Sequence, residues 1–161
     1  MEQQKRVVDD GNLFSWIQIN KKYFRTAPGI TKIIQVVLGI LCLILASPAV
    51  HVSTLWFSYV IIIAIVVTVI WSFIYLLSAR EAVSFPINWP LTEMLNMCFM
   101  AIIVAIATIF QLSHWIGARY LQECVRNVIA GVLGIALCVF YLIGAGLAYI
   151  EWRQTHTINS S

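Results

Sequence analysis

From Ile33 to Ala79 the chain runs for 47 residues without one Asp, Glu, Lys or Arg, which a water-soluble domain rarely tolerates. Two more charge-free windows follow, Met94 to Ala118 and Asn127 to Ile150. A bilayer core about 30 Å thick takes roughly 20 apolar residues of helix, so the long window must fold back once. Pro48, His51, Ser53 and Thr54 mark the fold. Four spans are expected, at Ile33–Val50, Leu55–Leu77, Met94–Leu112 and Val128–Ile150. Buried core helices of a soluble protein are the competing reading. With 61% hydrophobic residues in 161, too little polar surface remains to cover them.

The expected fold class is therefore an all-α membrane protein, an antiparallel four-helix bundle. Its segments divide as a 1–29 tail, a 30–153 transmembrane domain and a 154–161 tail, none long enough outside the bundle for a separate soluble domain. The first 29 residues are polar to amphipathic, so the first span is expected to act as an uncleaved anchor. Lys5, Arg6, Lys21, Lys22, Arg25, Lys32, Arg80 and Arg153 fall on one side of the spans, against Arg119 and Arg126 on the other. Basic residues accumulate on the cytosolic side, so an M-shaped topology with both termini cytosolic is expected. The sequon Asn159-Ser160-Ser161 would then be unused.

Within the 1–29 tail, Leu13, Trp16, Ile17, Tyr23 and Phe24 fall mainly on one helical face and Lys22 and Arg25 on the opposite one. An interfacial helix on the inner leaflet fits this spacing, with Lys21, Lys22, Arg25 and Lys32 against anionic lipid; a tail whose cations only fix topology is the alternative. Pro28-Gly29 is expected to break that helix before the first span. Between the second and third spans, Pro86 and Pro90 flank Asn88-Trp89, the composition of a constrained interfacial turn. Glu93 follows at the amino-terminal end of the third helix, where the helix dipole favours an acid.

Small and weakly polar residues recur every three or four positions: Gln35, Gly39, Cys42 and Ala46; Ala64, Thr68 and Ser72; Cys98, Ala101, Ala105 and Thr108; Gly131, Gly134, Cys138, Tyr141, Ala145 and Ala148. Lipid supplies no hydrophobic drive for helices to associate, so close backbone approach and interhelical hydrogen bonds must do it. Gln35, Gly39, Gly131 and Gly134 are the packing residues this singles out. Ala107, Ala136, Gly144 and Gly146 lie off the stripes.

The chemistry of a pump or membrane enzyme needs ionisable groups facing the bundle interior, and the four expected spans contain none. No G-x-G-x-x-G, Walker A or G-x-S-x-G string occurs. His51 and His114 would share the outer rim with too few further ligands for a metal cage, and read as interfacial residues. Cys42, Cys98 and Cys138 fall in spans and Cys124 stands alone in an outer loop, either a free thiol or a bridge between chains. No catalytic, cofactor or metal residues are therefore assigned. Cys98, about one turn into the third span, is a candidate for palmitoylation. Val69-Tyr75-Arg80 and Leu147-Tyr149-Arg153 match the loose sterol-contact pattern, which makes Tyr75, Arg80, Tyr149 and Arg153 candidate cholesterol contacts.

Pro28-Gly29-Ile30-Thr31-Lys32-Ile33-Ile34-Gln35-Val36-Val37-Leu38-Gly39-Ile40 resembles the opening of the MARVEL-domain tetraspan family, in particular its MAL, plasmolipin and chemokine-like-factor branches. Gln35 sits where that family carries an early Glu or Gln, and Asn88-Trp89-Pro90-Leu91-Thr92-Glu93-Met94-Leu95-Asn96 is similar to the stretch entering its third helix. The likeness covers about Ala27 to Arg153. It departs from many relatives in a very short first outer connection and a single outer cysteine. The resemblance implies a non-catalytic organiser of vesicle traffic, membrane apposition or fusion, or sterol-rich microdomains (lipid rafts), at the plasma membrane or on secretory and endosomal vesicles. Its partners would be membrane lipids and lateral membrane proteins, a second copy included, with no nucleic acid and no cofactor. A junctional or pore-forming tetraspan of the claudin and peripheral-myelin type is the first alternative, although only four residues link the first two spans where that type carries a W-x-x-x-x-W-x-x-C-like loop. A small membrane-embedded enzyme is the second.

Overall fold

The computed structural model describes residues 26–76, 89–116 and 121–159. Four helices follow in order: α1 Ala27–Ala46, α2 Val52–Leu76, α3 Trp89–Trp115 and α4 Leu121–Asn159. Each carries an apolar stretch long enough to cross a membrane; α1, the shortest at 20 residues, spans about 30 Å. Chain neighbours pack side by side and α4 returns to α1, so the four helices close into a ring. α1 and α3 begin, and α2 and α4 finish, at one end of the bundle, the entry end. The α1–α2 turn and the finish of α3 define the opposite, turn end.

The helices begin earlier than the charge-free windows suggest, and the reason is local. Thr26 caps α1, its Oγ1 accepting from Gly29 N–H at 3.4 Å. Pro28 then occupies the first turn, where its missing N–H would have had no intrahelical partner. The expected break at Pro28-Gly29 is thus a start, and Gly29 is buried. α3 likewise takes Trp89 and Pro90 into its first turn instead of leaving them in a connection. At the other end, the fold-back is confined to Ser47–His51; Ser53 and Thr54 already belong to α2. Helix α4 continues to Asn159, past the boundary at 153.

Inward faces are small or weakly polar. Gln35, Gly39, Cys42 and Ala46 of α1 are all buried, as are Ala64 and Thr68 of α2. On α4 the buried line includes Gly131, Gly134, Tyr141, Ala145 and Ala148. α3 is rotated from its expected stripe: Met97, Met100, Ala101, Val104, Ala107 and Thr108 face the core, while Cys98 and Ala105 flank it. Ala107, set aside in the sequence pattern, is therefore a core residue. Outward faces are aliphatic and aromatic, as a lipid-facing surface requires, with Ile44, Ile63, Ile109 and Ile135 at least half exposed.

Hydrogen bonds join the helices both across the ring and between neighbours in it. The Thr68 and Tyr141 hydroxyls lie 2.8 Å apart, and both reach the Ala64 carbonyl, at 2.8 and 3.1 Å. Cys138 Sγ donates to the Ala101 carbonyl at 3.3 Å. Such bonds keep the Thr68, Tyr141 and Cys138 side chains off the hydrocarbon.

Candidate functional site

At the entry end a charged cluster lies inside the bundle. Lys32, one turn into α1, is only 2% exposed, and its Nζ donates to Glu93 Oε1 of α3. The other carboxylate oxygen accepts from the Tyr75 hydroxyl of α2, and the Tyr75 ring lies 5.6 Å from Lys32 Nζ. Glu151 of α4 joins the same lining. Each helix thus sends at least one ionisable side chain to a single point.

Lys32 was expected at the lipid headgroups, and the structure corrects that: it is turned inward. The expectation that the bundle interior holds no ionisable group falls with it. Lys32 and Glu93 stand one residue outside the first and second charge-free windows. The helices extend past those windows by a turn or more, which carries both residues into the packed region. Glu93 remains near the amino-terminal end of α3, but it acts as a cross-helix acceptor more than as a neutraliser of one dipole. A sequence signal existed: two opposite charges, each flanking an apolar window, at the same end of an antiparallel bundle.

Gln35 sits one turn deeper. Its Nε2 donates to the Phe140 carbonyl at 3.0 Å and approaches Met97 Sδ at 3.8 Å. Its Oε1 is buried without a protein partner, and Gln35 lines a cavity of about 10 Å³ together with Lys32, Glu93, Gly144 and Glu151. That volume is at the lower limit for one water molecule. The arrangement latches α1, α2 and α3 together.

The remaining sequence-predicted residues scatter. A Cβ on Gly39 would meet Ile65 Cγ1 at 2.7 Å, on Gly131 Leu112 Cδ2 at 2.5 Å, and on Gly134 Thr108 Oγ1 at 2.5 Å. All three glycines therefore mark close approaches between helices. Tyr75 directs its hydroxyl to Glu93, away from the lipid, which removes that group from a sterol-binding edge. Tyr149 is 45% exposed and stacks obliquely near Trp152, with ring centres 5.8 Å apart. Arg153 is exposed. Cys98 is half-buried and packs against the core. Lys21, Lys22, Arg25 and Arg80 lie outside the described residues.

A second polar group, which sequence reading did not assemble, holds the turn end. Gln111 Nε2 donates to Asn127 Oδ1 at 2.9 Å, and Asn127 Nδ2 to the Glu123 carbonyl at 2.9 Å. Trp115 Nε1 donates to Thr54 Oγ1 at 2.8 Å, tying α3 to α2. Cys124 is a free thiol whose Sγ donates to the Trp115 carbonyl at 3.0 Å. Arg126 Nη2 reaches the carbonyls of Ile44 and Ser47 where α1 ends, a favourable place for a cation. Trp115→Phe leaves the buried Thr54 hydroxyl without its donor, and a loss of about 1 kcal/mol is expected. A lower thermal midpoint in detergent checks this; an unchanged midpoint would assign the Trp115 contribution to its ring alone.

The profile of the MARVEL family, a membrane-associating domain, matches residues 23–147. The chain belongs to the MARVEL family. No match was found among curated proteins or among solved structures. The MARVEL match takes in α1, α2, α3 and most of α4, so the ion pair, Gln35 and the turn-end network all lie within the MARVEL domain. Four membrane-length helices and this family together make the chain an integral, multi-pass membrane protein.

Proposed function

We propose that this MARVEL-domain protein organises membranes without making or breaking covalent bonds, serving vesicle trafficking, membrane apposition or fusion, or sterol-rich microdomains. Both termini lie in the cytosol in this reading, and the protein resides at the plasma membrane or on secretory and endosomal vesicles. One observation carries it: Lys32 and Glu93, charged groups inside the bundle, bond to each other, and Glu93 accepts from Tyr75, so that the cluster spans three helices. Ionisable groups within spans usually mark transport or proton paths, and here their contacts are structural. What the domain offers outward is apolar surface, suited to lipid and to the helices of lateral partners or a second copy. Anionic lipid faces the basic tail, and cholesterol meets the Tyr149 and Arg153 edge.

The test is the distribution of a tagged full-length chain before and after acute sterol depletion. Redistribution from vesicles or surface patches is expected, together with crosslinking of a photoactivatable sterol near Tyr149. A uniform surface pattern indifferent to sterol would count against the microdomain reading. Normal cargo delivery in cells lacking the protein would count against the trafficking reading.

A further inference from the structure

Two imidazoles meet at the turn end. His51 lies in the α1–α2 turn immediately before α2, and His114 in the last turn of α3. Their ring centres are 4.6 Å apart with the planes tilted by 47°. Trp115 stands edge-on to both, at 5.2 Å and 87° from His51 and 5.4 Å and 90° from His114. Its indole is buried and fixed by the bond to Thr54, so it forms a rigid wall against which both rings rest. Among the described residues neither imidazole has a hydrogen-bond partner, which leaves the ring nitrogens available.

We propose that His51 and His114 form an open binding site for a divalent transition-metal cation of the Zn²⁺ class at the water-facing rim of the bundle. Two imidazoles that share one ion through nitrogens at about 2.1 Å hold their ring centres roughly 4.5–5.5 Å apart. From the observed 4.6 Å the rings need to open by less than about 1 Å for a tetrahedral ion to bond one nitrogen of each. Imidazole nitrogen selects Zn²⁺, Cu²⁺ or Ni²⁺ over Mg²⁺ and Ca²⁺, which take oxygen. Among the described residues no group of three His, Cys, Asp or Glu forms a cage. Water completes the coordination, and the ion exchanges freely with solution.

Position gives the site its consequence. Val52 and Ser53, next in sequence to His51, line a lipid-facing groove of about 490 Å³ together with Trp56, Ile106 and Phe110, along the seam between α2 and α3. An ion held by both histidines clasps the start of α2 to the finish of α3 above that seam. Because the unfolded chain lacks the pair, binding stabilises the folded bundle by mass action.

The full chain, purified without a polyhistidine tag in lipid nanodiscs, is titrated with Zn²⁺ by calorimetry and its thermal midpoint followed with and without the ion. One saturable equivalent per chain and a raised midpoint are expected. His51→Ala and His114→Ala each weaken binding about tenfold or more, and His156→Ala leaves it unchanged. Cu²⁺ supplies a second readout, since an ion held there quenches Trp115 fluorescence, and Trp115→Phe removes that part of the quenching. Thermal midpoints in a chelator show that each variant folds. Binding that survives both rim substitutions, binding that follows His156 instead, or no saturable binding would overturn the site.

Discussion

Leucine at both Gly131 and Gly134 is expected to keep the bundle from closing. The first added carbon alone would stand 2.5 Å from Leu112 Cδ2 at one site, and 2.5 Å from Thr108 Oγ1 and 3.1 Å from Phe57 Cε2 at the other. Leu112 can move the end of its side chain, so Gly131→Ala is the milder change. Thr108 and Phe57 are buried among other helices and have nowhere to go. Overpacking one site in a dense core costs about 1–3 kcal/mol, and two clashes on one helix face, each against α3, leave no direction for α4 to retreat except away from the ring. Loss of surface delivery and a collapse of thermal stability in detergent are the expected readings. Gly146→Leu is the control, because a Cβ there meets nothing within 4 Å. A double variant that travels and melts like the parent would sink the close-packing argument.

Removing one partner of the buried ion pair should be nearly as damaging. Lys32→Ala leaves the Glu93 carboxylate inside the bundle with only the Tyr75 hydroxyl for company, and Glu93→Ala leaves the ammonium without its hydrogen-bonded partner, with Glu151 as the remaining carboxylate in the cluster. Breaking a buried pair from one side costs about 3–5 kcal/mol, whereas replacing both members with apolar side chains of similar volume is often neutral. Thermal unfolding in detergent should therefore show both single variants well below the parent and Lys32→Met with Glu93→Leu recovering most of the loss. If Lys32→Ala melts like the parent, Lys32 is at the headgroups, as its place in the basic tail first suggested. Equal damage from the double variant would make the charges themselves indispensable to the fold.

Much of the architecture is readable from one dimension, and particular residues show why. Hydropathy is a local property: the windows bounded by Lys32 and Arg80, Glu93 and Arg119, and Arg126 and Glu151 fix the number of spans, because any charge inside them would have to be desolvated. The small-residue stripes of α1 and α4 indicate inward faces directly, since helical spacing is enough to align Gln35 with Gly39 and Gly131 with Gly134. The stripe of α3 indicates its face less well. Its core is built on Met97, Met100 and Val104, which are large and apolar and so look no different from lipid-facing residues.

The candidate site was less legible for the same reason that the spans were clear. A window scan treats a charge as a boundary, so Lys32 and Glu93 read as the edges of hydrophobic segments and their 61-residue separation hides the pairing. Likewise nothing in the order of residues announces that His51 and His114 face each other across Trp115. By itself the sequence determined that four helices cross a membrane and that the chain is of the MARVEL kind, since burial of apolar backbone and side chains depends on composition over some 20 residues. Only the tertiary structure decided which side chains meet. That Lys32 turns inward to Glu93 and Tyr75, that Gln35 reaches Phe140 and that Trp115 holds Thr54 all follow from how the ring of helices closes, because a polar group in hydrocarbon must find its partner on another helix wherever that partner lies in the chain.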